Sequence, residues 1–142
     1  MIGDLIKKLF GTRAGFLTSV VRIYIGLIFF RAGTGKLFQW FGGPGPQNFG
    51  LFLKSMGLPF PEFQAYLVGS TETLCGLALL GGLLTRLASL PLMIVMLTAI
   101  FTAHKDGDFY YPLLILLCCL SFVQSGSGTF SIDKLISRKL SS

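Results

Sequence analysis

Charge is scarce in this sequence. Charged residues fill 13% of its 142 positions, and only six are acidic. A soluble globular domain carries roughly a quarter charged residues. Hydrophobic residues make up 52%, and the mean hydropathy is +0.72. A domain this small has too much surface for its volume to hide that much apolar material from water. The composition therefore points to lipid as the solvent.

Other absences narrow the chemistry. There is a single histidine, His104, and its nearby carboxylates Asp106 and Asp108 lie in a short polar loop. That set is too thin for a metal centre, and a solvated turn explains it. The three cysteines, Cys75, Cys118 and Cys119, form no C-x-x-C pair and sit in apolar runs, where they read as small hydrophobes. No phosphate loop, dinucleotide fingerprint, zincin motif or serine elbow occurs. The net charge of +6 does not signal nucleic acid, because the basic residues flank apolar segments and do not alternate with aromatics along one face. Residues 1–12 lack a long apolar core and a small-residue cleavage site, so the first apolar segment is expected to stay as a helix.

The apolar runs predict an all-α fold: a four-helix membrane bundle in one domain, residues 1–142. Helices are expected over 16–38, 62–84, 87–103 and 109–123. The second would rise about 34 Å, enough to span a bilayer with some tilt. Amphipathic segments are expected at both ends, over 1–13 and 131–140. Between the first two helices lies the breaker cluster Gly42, Gly43, Pro44, Gly45 and Pro46, then a short helix near 48–56, with Pro59 and Pro61 as stops. Pro91 and Pro112 fall early in their helices, where the missing N–H costs little. Trp40, Phe41, Phe49, Phe52, Phe60, Phe63 and Tyr66 gather on one side as an aromatic belt. The opposite side receives Lys7, Lys8, Arg13, Arg86, Lys134, Arg138 and Lys139. The positive-inside rule then puts both termini in the cytoplasm, consistent with an even number of crossings.

The informative residues are charges expected at membrane depth. At about 100° per residue, Arg22, Gly26, Phe29, Gly33 and Lys36 share one face of the first helix. Gly69, Glu72, Gly76, Leu79 and Leu83 share one face of the second. Glycines let helix backbones approach closely, and a carboxylate at depth needs a cation or a proton. If Phe16 and Leu84 are level, Arg22 lies about 9 Å in, Glu72 about 18 Å and Arg31 about 22 Å. The stripe favours Arg22 as the partner of Glu72, and depth favours Arg31. The catalytic candidates are Glu72, to take or relay a proton, and Arg22, to bind a quinone carbonyl or a sulfur oxyanion, with Lys36, Gly33 and Gly76 lining a quinone or anion pocket. The bland alternative is a buried ion pair that only fixes helix register.

These residues carry a resemblance. The stretch Arg22-Ile-Tyr-Ile-Gly26 with Gly33-Thr-Gly-Lys36, then Glu72-Thr-Leu-Cys-Gly76 running on to Thr85-Arg86, then Gly126-Ser-Gly128 and Ser131-Ile-Asp133, resembles the ordered motifs of the DoxX family. The resemblance covers residues 15–135 and implies a mostly bacterial four-helix membrane bundle. It implies Arg22, Gly33, Lys36, Glu72, Gly76 and Arg86 as the characteristic positions. The family takes its name from a small subunit of a thiosulfate:quinone oxidoreductase, and other members are linked to redox complexes handling thiols or reactive oxygen. More distant relatives act as membrane chaperones or cargo receptors. The resemblance thus implies a small subunit of a quinone-linked or thiol/sulfur-related oxidoreductase in the bacterial inner membrane. A non-catalytic chaperone, anchor or assembly subunit is the alternative, and a small-solute transport component is a third. No cofactor motif is evident beyond a quinone pocket. Expected partners are the lipid bilayer and either a second copy or another membrane subunit, with no nucleic acid.

Overall fold

The computed structural model describes residues 1–10, 15–102, 107–126 and 131–142. His104, Lys105, Asp106, Arg13 and Gly128 lie outside the described residues. The described residues are all-α: α1 (Ile2–Phe10), α2 (Phe16–Phe38), α3 (Gly45–Ser55), α4 (Pro61–Gly81), α5 (Thr85–Phe101), α6 (Tyr110–Ser125) and α7 (Ile132–Ser141). A 3-10 turn, Trp40–Gly42, separates α2 from α3.

α2 has the expected bounds. It is also the one helix among the described residues long and apolar enough, by length and composition, to cross a membrane. α5 and α6 are apolar but shorter. α4 ends three residues earlier than expected, and the reason is its cap. Gly82 adopts φ +69°, its N–H donates to the Leu79 carbonyl at 3.2 Å, and the Leu83 N–H donates to the Ala78 carbonyl at 2.8 Å. That paired pattern is a Schellman stop, which needs a left-handed residue best supplied by glycine. α5 then begins at once, at Thr85. The earlier start puts Pro91 inside the helix, so it forgoes one internal hydrogen bond. Pro112 stands third in α6, where an N–H would be unpaired anyway.

α2 packs along α4, α5 packs against both α4 and α6, and α6 also touches α2; α3 lies on α4, and α1 meets α7. The core is shared by the four long helices: Ile25 and Phe29 from α2, Leu79 from α4, Leu92 and Met96 from α5, and Ile115, Cys119 and Phe122 from α6. Each of these helices also turns large apolar residues outward, among them Leu27, Leu74, Ile94 and Leu117. The three cysteines are free, with Cys119 buried.

Candidate functional site between α2 and α4

The two predicted stripes do face each other. Arg22, Gly26, Phe29 and Gly33 are buried on α2, and Gly69, Glu72, Gly76 and Leu79 are buried on α4. Leu83, past the end of α4, is exposed instead. The glycines fall seven residues apart on both helices, so two contacts recur two turns apart. A Cβ on Gly33 would stand 2.5 Å from the Thr73 amide nitrogen and 2.8 Å from the Gly69 carbonyl oxygen. One on Gly76 would stand 2.5 Å from the Phe30 nitrogen. Backbone meets backbone here, as small residues at membrane helix contacts allow. No room for a quinone ring or an anion remains at Gly33 or Gly76.

The register decides the ion pairs. Gly26 lies against Gly76 to Leu80, and Gly33 against Gly69 to Thr73. Glu72 is therefore closest to the far end of α2. Lys36 Nζ donates to Glu72 Oε1 at 2.8 Å and to Oε2 at 2.6 Å. Neither arginine that the sequence offered for Glu72 pairs with it. Arg31 is exposed, with its guanidinium 5.6 Å from the centre of the Phe41 ring. Arg22 is level with the end of α4, where Nη1 donates to the carbonyls of Leu79 and Leu80. α2 starts more than a turn beyond the last residues of α4, which carries Arg22 away from Glu72, whereas Arg31 is nearly level with Glu72 but lies off the stripe that faces α4.

Glu72 retains 2% of its side-chain exposure and Lys36 retains 19%. The ammonium also lies 4.7 Å from the centre of the Phe49 ring, contributed by α3. The pair is thus sealed on the α4 side and reachable only through its lysine. A carbonyl or oxyanion arriving there would compete with Glu72 for the ammonium, and the released carboxylate would then have to take up a proton.

At the opposite end, Asp133 of α7 is the residue the sequence left without a role of its own. Its Oδ1 accepts from the Leu84 N–H at 2.7 Å and its Oδ2 from the Thr85 N–H at 3.0 Å. Its own N–H donates to the Gly82 carbonyl at 3.0 Å. The N-cap position of α5 is Leu84, a poor capping residue, and α7 supplies the missing cap across 49 residues of chain. Burial pushes the Asp133 carboxyl up, opposed by the Thr85 and Leu84 N–H groups and by the charge of Arg22. Ser131 caps α7 itself, accepting from the Lys134 N–H at 3.1 Å. Arg86 donates to the Val123 carbonyl at 3.1 Å, at the end of α6. The Ser-x-Asp signature was the sequence signal for this cluster. Its partner in space was not readable.

Among the described residues, no three His, Cys, Asp or Glu side chains gather as a metal site. The DoxX family model matches residues 17–105, more than half of the chain, covering the whole α2–α4 contact. The chain belongs to the DoxX family. It is 32% identical over 136 residues to an uncharacterized membrane protein of Mycobacterium tuberculosis, covering 84% of this chain and 80% of the relative. It is 28% identical over 123 residues to the putative oxidoreductase CatD of Bacillus subtilis, with 84% and 86% covered. An uncharacterized protein of Haemophilus influenzae is 25% identical over 144 residues, with 92% and 90% covered. No solved structure matches this DoxX-family chain.

Proposed function

We propose that this DoxX protein is a multi-pass protein of the bacterial cytoplasmic membrane and the small subunit of a membrane oxidoreductase complex that handles quinones, thiols or sulfur compounds. In this reading α2, α4, α5 and α6 cross the bilayer as one domain and both termini face the cytoplasm. The outward apolar residues on all four helices support the placement, since lipid tolerates what water would not. The name of the Bacillus subtilis relative supports the redox assignment.

One observation carries the reading: a bidentate Lys36–Glu72 pair buried between two spanning helices, its lysine partly open beneath Phe49. Ionised groups at membrane depth are expensive and mark functional positions by default. A quinone ring does not fit at Gly33 and Gly76, so a substrate would reach the pair from the Lys36 side. This chain contributes a cation that a substrate oxygen can reach and a carboxylate that accepts a proton when displaced. Arg22 acts as a positioning residue, holding α4 in register so that Glu72 meets Lys36.

Glu72→Gln and Lys36→Gln, scored for quinone reduction by membranes and for folded yield in detergent, test this. Activity is expected to fall in both, with yield persisting in Glu72→Gln and partly lost in Lys36→Gln, which leaves the carboxylate buried without its cation. A well-folded double variant with full activity sinks the redox role. A second reading, a non-catalytic anchor or assembly subunit, is favoured by how many motif residues are spent on packing: Gly26, Gly33, Gly69, Gly76, Arg22 and Asp133. It predicts loss of a co-purifying partner with no change in the chemistry of that partner.

A further inference from the structure

A second site lies where α3 turns back into α4. An open groove of about 790 Å³ runs between them, with Lys54 on the α3 side and Phe60, Glu62, Phe63 and Tyr66 on the α4 side. Its floor is Gly50, where an added Cβ would stand 3.7 Å from the Pro61 carbonyl oxygen. The corner is held open by its backbone. Phe60 adopts φ +50°, a conformation a bulky side chain rarely takes. It is kept there by Gln64, whose N–H donates to the Phe60 carbonyl at 3.0 Å and whose Nε2 donates to the Pro59 carbonyl at 2.5 Å. Residues held in such conformations gather at ligand clamps.

The lining is chemically specific. It holds one cation, Lys54, one anion, Glu62, and three exposed aromatic rings. Among the described residues neither charge is in an ion pair. The groove lies at the end of the molecule where α2 stops and α4 begins, away from the cluster around Asp133.

We infer that this groove seats the headgroup of a phosphoethanolamine lipid. Lys54 binds the phosphate, as an ammonium binds an oxyanion through charge-assisted hydrogen bonds. The primary ammonium of the lipid donates to Glu62 and lies against the faces of Phe60, Phe63 or Tyr66. The acyl chains follow the outward face of α4 into the bilayer. A lipid bearing only negative charge would meet Glu62 with repulsion, so the carboxylate is the selective element. The inference rests on the membrane placement proposed above but not on the redox role.

The full chain, purified in a maltoside detergent, is titrated with dihexanoyl phosphatidylethanolamine and, separately, dihexanoyl phosphatidylglycerol, with bound lipid counted by native mass spectrometry. The ethanolamine lipid is expected to bind preferentially. Glu62→Gln is expected to weaken it about tenfold and leave the glycerol lipid no weaker. Lys54→Gln is expected to weaken both. Both positions are exposed, so the variants are expected to fold. Equal binding of the two lipids to the natural sequence, or ethanolamine binding indifferent to Glu62→Gln, overturns the site. Alkaline carbonate extraction is read in parallel. A chain released from membranes overturns the placement and this proposal together, whereas a retained chain without lipid preference overturns the lipid site alone.

Discussion

The α2–α4 contact ends in two cations, one buried and one partly open, that are handled in opposite ways. Near the start of α2, Arg22 spends its guanidinium on the carbonyls of Leu79 and Leu80 and faces Asp133. Near the end of α2, Lys36 spends its ammonium on the carboxylate of Glu72. The first arrangement joins three segments, α2, the α4–α5 turn and α7, around a guanidinium that acts as a fixed fork of donors. The second joins two helices through a proton-exchangeable pair, with one partner open to approach. Arginine is the suitable cation for a fixed fork of hydrogen bonds, and lysine for an exchangeable point charge. One end is a fixed joint and the other an exchangeable pair, although both look like buried charge in the sequence.

The largest expected effect falls on the exchangeable end. Lys36→Met leaves Glu72 buried without its cation and is expected to cost about 3–5 kcal/mol, read as lost thermal stability in detergent. Lys36→Met with Glu72→Leu should recover most of it, because a neutral apolar pair replaces a paired one. If the double variant were no better than the single, the pair would not be the unit described.

Between the two ends, Gly33→Val should push α2 off α4. Overpacking a tight contact costs about 1–3 kcal/mol, with a lower melting temperature and a weaker Lys36–Glu72 coupling as the measured outcomes. Retained stability in this variant would contradict the backbone contact at Thr73. At the fixed end, Asp133→Ala removes the cap of α5 and should cost about 1–2 kcal/mol. It should also expose α7 to proteolysis while leaving the Lys36 end intact.

The smallest effect is a pH dependence. Burial raises the Asp133 carboxyl above its ordinary value, so the folded state holds the proton more firmly than the unfolded one. That contribution is fully present below the unfolded value of 3.8 and is lost as pH rises through the raised folded value. Protease resistance of α7 should therefore be slightly greater under acid conditions than at neutral pH. Asp133→Asn should abolish the difference, and a persistent difference in that variant would assign it to another group.

Much of this was legible because helical period is written directly in residue spacing. The bounds of α2, the facing glycine stripes and the amphipathic ends all follow from local pattern. Register between helices does not, because it depends on where each helix stops. The Schellman stop at Gly82 and the stagger of α2 past α4 moved Arg22 away from Glu72 and brought Lys36 to it. Lys36 was already among the candidate residues, but as the lining of a pocket and not as the counter-ion. Asp133 was visible only as part of a motif, because its hydrogen-bond partners lie 48 and 49 residues earlier.

That separation has a consequence for biogenesis. During synthesis α5 emerges with its first amides uncapped, and they remain so until α7 leaves the ribosome. Asp133 closes the α4–α5 corner only after α6 and the start of α7 have been made. A chain cut short before this residue would carry α2, α4, α5 and α6 yet keep an open corner, a local mark by which a protease could distinguish truncated copies from those that carry α7.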